Sequence, residues 1–364
     1  MERKLASIQK IISLTPIAGA DKIEKATVLG WEVVVKKGDF NVGDYCVYCE
    51  IDSILPDKPC FEFMRDRKFR VRTIKLKGQI SQGICFPLSI LPKGKIQEGD
   101  DVTKVLGVIK YDPQAEIERK ETERLANIKK HRLSKFFMRY PWYRRFVFKP
   151  QRLPFPAWIK KTDEDRIQLF PDICQREQHT IFQVTEKLDG QSATYFVIKN
   201  PSWTRVFKPY IFGVCSRNFQ LLKPDGQSYW ELAKRLKIEQ RLTHIAKYSC
   251  HDSIVLQGEV IGAKIQGNKY NRTQNEFYVF NLIVSGFVFQ NANMKVWCDS
   301  FGFTTVPHLA YSHRILPDIN MMVNHATGNS ELADVPREGL VWRNYDKNIS
   351  FKVINPEFLL KHGE

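Results

Sequence analysis

Apolar and β-branched residues gather into short runs along the first hundred positions, and polar turn residues separate them. Ala6 to Leu14, Ala26 to Val35, Tyr45 to Ile51, Phe69 to Leu76 and Gly83 to Phe86 are the β-rich runs. Pro16, Gly19, Gly38-Asp39, Gly43-Asp44 and Pro56-Asp57 punctuate them, as expected where the chain must reverse. Ala20-Asp21-Lys22-Ile23-Glu24 reads as a short helix. About five strands with one helix predict a small Greek-key barrel, the OB-fold, over residues 1–108. Such a barrel either binds an oligonucleotide across one face or serves as scaffold alone.

The pattern changes after Tyr111. Ala115 to Asn127 reads as a helix of alternating charge, and no acidic residue occurs from Lys129 to Lys161. Lys129, Lys130, Arg144 and Arg145 stand among the cations of that stretch, and Phe136, Tyr140, Trp142 and Phe146 are interleaved with them. Cations for phosphates and rings for bases make a nucleic-acid surface; the same rings could instead pack one domain on another. Residues 109–155 are therefore read as a basic, aromatic, helical linker. From residue 156 to 364 strand patterns dominate again, with helices at Ser228 to Lys237 and Glu239 to Tyr248. The class is α+β, with antiparallel sheets and flanking helices in this last domain.

Composition narrows the partner. The 364 residues carry 56 Lys plus Arg against 40 Asp plus Glu, a net charge of +16, which predicts a polyanion, nucleic acid before membrane. Met1-Glu2-Arg3-Lys4 leads into no apolar signal segment, and the longest apolar run, Phe277 to Phe289, is interrupted and too short to span a bilayer. A soluble cytoplasmic or nuclear monomer is expected. Eight cysteines are scattered, and only Cys46 and Cys49 have a metal-like spacing, with Cys60 and Cys85 as conceivable partners. They lie in a β-rich run without knuckle glycines, so they read as reduced core residues.

The candidate chemistry begins at Glu186-Lys187-Leu188-Asp189-Gly190, between the β-rich runs Thr180 to Val184 and Ser192 to Ile198. Alternate side chains share a face in an extended chain, so Lys187 and Asp189 point the same way. A neutral lysine is a nucleophile, a carboxylate can help hold a hydrated divalent ion, and glycine allows a close approach. A surface lysine before an Asp-Gly turn gives the same letters. Four later segments carry further chemistry. Ile254 to Gly262 places Glu259 amid apolar residues, and Glu276 to Leu282 sets Tyr278 and Phe280 on one face. Arg337 to Arg343 starts with Glu338, and Ser350 to Ile354 holds Lys352. Glu259 could equally end its strand in water, and Glu338 with Lys352 could form a surface ion pair.

In this order, with Ser216-Arg217-Asn218 between them, the segments resemble the motifs of the covalent nucleotidyltransferase superfamily of DNA ligases, RNA ligases and mRNA capping enzymes. Phe155 to Gln168 is similar to the segment preceding the nucleophile in RNA ligases. The N-terminal barrel, with only twelve residues after Lys352, resembles ATP-dependent RNA ligases built from an N-terminal OB domain and a C-terminal nucleotidyltransferase domain. The resemblance implies that Lys187 attacks ATP to form lysyl-AMP, and that the adenylate then passes to an RNA 5′-phosphate that is joined to a 3′-OH. It implies that Asp189, Glu259 and Glu338 hold the waters of Mg²⁺ or Mn²⁺ and that Lys352 contacts the α-phosphate. Phe280 would stack on adenine, Glu186 would help bind the nucleotide, and Arg166 and Arg217 would contact phosphate or the RNA end. RNA, as a nicked duplex, broken ends or an RNA/DNA hybrid, is the implied partner. The second lysine usual in the last motif is Ile354 here, leaving Lys347, Arg166 or Lys161 to supply that charge. A capping-type guanylyltransferase and a catalytically inactive RNA-binding protein are the alternative readings.

Overall fold

The computed structural model describes residues 4–92, 94, 97–111, 152–222, 228–263 and 265–362. They form two compact units: residues 4–111 with 167–176 and 356–362, and residues 152–166 with 177–355. Most of the linker, with Lys129, Lys130, Arg144, Arg145 and the helix expected at 115–127, lies outside the described residues.

In the first unit β1 (Ala6–Ile17), β2 (Ala20–Val28), β3 (Trp31–Lys36), β4 (Tyr45–Cys49) and β5 (Ile84–Pro87) make one antiparallel sheet in the order β3-β2-β1-β4-β5. One long strand serves two neighbours. Ala6 to Lys10 pair with β4, while Ile11 to Ile17 pair with β2 across two register shifts. Such irregularities bend a strand and increase its twist. The side chains of Trp31, Tyr48, Ile8, Ile11 and Val33 are almost wholly excluded from water.

Three sequence expectations need correction here. Ala20 to Glu24 is not a helix but the start of β2, with Glu24 opposite both Pro16 and Val35. Pairing on two sides outweighs the weak helical preference of five residues. Ala26 to Val35 is not one strand, because Leu29 at φ 53° and Gly30 turn it into the β2–β3 hairpin. Phe69 to Leu76 is extended only from Thr73, after a 3-10 helix over Pro59–Arg67. Cys46 and Cys49 are buried on β4, and burial pushes the Cys49 thiol up to about 12. Cys60 and Cys250 are exposed rather than in the core.

The second unit holds two sheets. Its strands are β6 (Ile181–Lys187), β7 (Gln191–Lys199), β8 (Tyr210–Cys215), β9 (Ser253–Ile261), β10 (Glu276–Val284), β11 (His308–Arg314), β12 (Gly339–Asn344) and β13 (Ile349–Ile354). The larger sheet runs β8-β7-β9-β10 at its centre, with short strands at its margins; the smaller runs β11-β6-β12-β13. Alternation divides the larger sheet's side chains. Tyr195, Val197 and Leu256 meet Leu242 and Ile245 of the helix Ile238–Tyr248 and Met294 of the helix Asn291–Ser300. Phe196, Val255 and Ile283 face the other way and cluster with Ile159. Phe182, Trp342 and Phe351 pack ring to ring in the smaller sheet. β6 and β7 are consecutive but belong to different sheets, so the chain crosses between them at Leu188-Asp189-Gly190. Among the described residues no helix is long and apolar enough to cross a membrane.

Candidate active site

Lys187 ends β6 at the crossing and is paired with Gly339 at the start of β12. That register brings in Glu338, whose Oε1 accepts a hydrogen bond from the Lys187 Nζ at 2.5 Å. Glu259 enters from β9, opposite Ser192 of β7, and its Oε2 accepts from the Ser192 hydroxyl at 3.1 Å. Asp189 follows the nucleophile; its backbone N–H donates to the Tyr270 hydroxyl at 2.8 Å, and its Oδ2 lies 2.5 Å from Lys269 Nζ. Three carboxylates therefore surround one amine. Gly190 is required by the fold itself, because a Cβ there would sit 2.3 Å from the Val260 carbonyl oxygen.

The charges oppose one another. Burial pulls the Lys187 pKa down, but Glu338, with Glu259 and Asp189 behind it, outweighs burial and holds the amine above its ordinary value. Without ligand, Lys187 is therefore an ammonium rather than the neutral amine that nucleophilic attack needs. Glu259 is pushed up to about 8 by burial, with Lys187 opposing and Glu338 and Asp189 adding to the rise. Carboxylates crowded until one keeps its proton form a set that a divalent ion would relieve, and hard oxygen donors suit Mg²⁺ or Mn²⁺. Among the described residues no three His, Cys, Asp or Glu side chains stand close enough to hold a metal directly.

Cations form the other side. Lys352 on β13 is brought to about 8 by burial, with Lys187 and Arg166 lowering it further and Asp163 opposing them. Arg166 is buried and bridges Lys352 through the backbone, beside the Lys352 N–H bond to the Asp165 carbonyl at 2.8 Å. Asp163 joins two expected residues: Oδ1 accepts from Lys352 at 3.1 Å and Oδ2 from the half-exposed Arg217 at 2.7 Å. Lys347 is elsewhere, donating to Glu177 Oε2 and Thr180 Oγ1 at 2.7 Å each. Lys161 reaches Asn218 at 3.4 Å. Of the three, Arg166 is the one whose backbone pairs with Lys352.

Phe280 and Tyr278 share the cluster of Leu188, Ile261 and Val306, but Tyr278 is buried and bonded to Glu276, whereas Phe280 is only partly buried. The Arg343 guanidinium donates to the Phe280 carbonyl at 2.7 Å and to Glu164 Oε1 at 2.6 Å through its other nitrogen. Burial works against ionisation of Glu164, yet Arg343 outweighs it and keeps that carboxyl below its usual range. Glu164→Ala should cost about 3–5 kcal/mol by leaving the buried Arg343 without its countercharge, read as a lower midpoint of chemical denaturation. Glu186 points away from this array; its Oε2 accepts from the Glu331 N–H at 2.9 Å, and burial holds its carboxyl above the usual range.

Sequence reading passed over Asp163, Lys269 and Tyr270. The last two sit in a turn-rich loop where Gln266, Asn268 and Asn271 adopt positive φ, backbone strain of the kind that gathers at functional sites. The glycine and asparagines of that loop were the available signal.

A lysine thus stands at a sheet-to-sheet crossing, with carboxylates on one side and cations on the other. Residues 5–88 match an OB-fold domain and residues 180–354 match RNA ligase. The chain belongs to the RNA ligase family. It is similar over nearly its whole length to Naegleria gruberi RNA ligase. A ligand-free mutant of that protein is 30% identical, with 99% of this chain and 98% of that one covered and a TM-score of 0.79. A mutant solved with ATP and manganese is 29% identical, with both chains fully covered and a TM-score of 0.79. The form with pyrophosphate is 30% identical, with 99% of each chain covered and a TM-score of 0.78. No curated protein matches the chain.

Proposed function

We propose that the protein is an ATP-dependent RNA ligase that joins 3′-OH and 5′-phosphate ends through a covalent Lys187-AMP. The observation that carries this reading is the position of Lys187 between Glu338, Glu259 and Asp189 on one side and Lys352 with Arg166 on the other. Lys352 and Arg166 offer positive charge to the α-phosphate, and Phe280 offers a ring to the adenine. The Lys187 nitrogen gives up its proton, bonds to the α-phosphorus and displaces pyrophosphate. The adenylate passes to an RNA 5′-phosphate, and the 3′-OH of the adjoining end then displaces AMP. Bound among the carboxylates, Mg²⁺ or Mn²⁺ would neutralise them and the phosphate, removing what holds Lys187 protonated. Arg217, bonded to the Asp163 that also holds Lys352, serves the RNA end. Glu186, facing away and bonded to Glu331, is not given the nucleotide-binding part expected of it.

In the same reading residues 1–108 and the 109–155 linker, with Lys129, Lys130, Arg144 and Arg145, grip the RNA backbone, and 156–364 carry the chemistry. We place a monomer in the cytosol or nucleus, acting on nicked duplex, broken RNA ends or an RNA/DNA hybrid. The free thiols of buried Cys46, Cys49, Cys215 and Cys298 suit a reducing compartment.

A nicked RNA duplex incubated with the protein should be sealed with ATP and left open with GTP. Guanylate transfer to the protein, with none from ATP, would support the capping-type reading instead. Metal affinity should follow the Glu259 proton. Below about 8 the ion competes with that proton, so calorimetric Mn²⁺ affinity should rise with pH towards that value and level off above it. Glu259→Gln should flatten the rise.

A further inference from the structure

The loop between β7 and β8 is built to hold large apolar side chains in water. Trp203, Val206 and Phe207 are 81%, 81% and 84% exposed. Such exposure usually accompanies a slack loop, but this one is braced from within. Buried Asn200 donates to the Lys208 carbonyl at 2.8 Å and to Thr204 Oγ1 at 3.2 Å, and accepts from the Ser202 N–H at 3.0 Å. Residues 203–206 form a 3-10 turn, and Pro201 and Pro209 flank it. Tyr210, at the base, hydrogen-bonds the carbonyls of Ala246 and His251, on either side of Tyr248, which is itself 86% exposed.

Within the segment that carries Trp203 and Phe207 the charge has one sign. No Asp or Glu occurs from Gly190 to Pro224. Lys199 is paired with Asp252, while Arg205 and Lys208 are exposed within the loop. Rings held rigidly beside cations suit unstacked bases and their phosphates. β7 is nine residues long, about 30 Å at ~3.3 Å per residue, so this platform lies a strand's length from the Lys187 end of the sheet.

We propose that Trp203 and Phe207, with Arg205 and Lys208, form a second RNA contact that takes an unpaired strand remote from the joining site. The inference rests on RNA being the substrate. The experiment compares wild type with Trp203→Ala/Phe207→Ala and with Arg205→Gln/Lys208→Gln, using polarisation of a labelled single-stranded oligoribonucleotide. The ring variant should bind roughly tenfold or more weakly, the size of one lost stacked base. The charge variant should bind more weakly with a shallower salt dependence. Both should keep wild-type protein-AMP formation and sealing of a fully paired nick. Unchanged strand affinity overturns the proposal. So does unchanged strand affinity accompanied by lost binding to phosphatidylcholine–phosphatidylserine vesicles or by a change in sedimentation, which would assign the loop to a membrane or to a second copy. Failure of the wild type to take AMP would count against the ligase reading, and the strand-binding comparison would still be readable.

Discussion

Lys187→Ala is expected to abolish covalent AMP attachment while leaving RNA affinity near wild type. The bond to phosphorus needs that nitrogen, and the neighbouring amines are engaged elsewhere, Lys352 with Asp163 and Lys269 with Asp189. Sealing of RNA that already carries a 5′-adenylate should survive in part, since the final displacement does not use the lysine. The variant should fold, for the carboxylates facing position 187 can take up protons: Glu259, already pushed up to about 8, would move further once its cationic neighbour is gone. An adduct that persisted in this variant, seen in its intact mass, would overturn the assignment of the nucleophile.

Glu338→Ala should lower adenylylation and nick sealing by about 10- to 100-fold, the loss typical when a group that orients a metal or its ligands is removed. A second effect runs in the opposite direction. Glu338 is the carboxylate bonded to the Lys187 amine and contributes to holding it protonated. Its removal should therefore lower the Lys187 pKa and speed amine-selective labelling of that residue near neutral pH. A more reactive lysine in a less active enzyme separates this role from simple loss of structure. Wild-type sealing by the variant would contradict it.

Much of the site could be read from strand alternation and motif order. Lys187, Asp189, Glu259, Glu338 and Lys352 each sit in or beside an extended segment whose neighbours alternate visibly, and the structure brings all five together. Their mutual electrostatics could not be read in the same way. Glu338 lies 151 residues from Lys187, and only the β6–β12 register shows that it touches the amine and holds it protonated. Asp163 and Lys269 escaped notice because each acts through a residue distant in sequence, Lys352 and Asp189 respectively. The N-terminal sheet was legible from its alternation, except at Ala20 to Glu24, where charged residues on a strand imitate a helical turn, and at Ala26 to Val35, where the turn at Leu29-Gly30 interrupts one apolar run. His308 to Arg314 has no clear period and becomes a strand only because it pairs with β6. The Trp203 loop offered no periodic signal; its meaning comes from exposure, which sequence does not reveal.

The most direct measurement is intact-mass analysis of the wild-type protein after incubation with ATP and Mn²⁺, followed by peptide mapping. The account predicts a gain of one adenylate, located on the peptide that contains Lys187 and discharged by pyrophosphate. No gain, or an adenylate carried by any other residue, would contradict it.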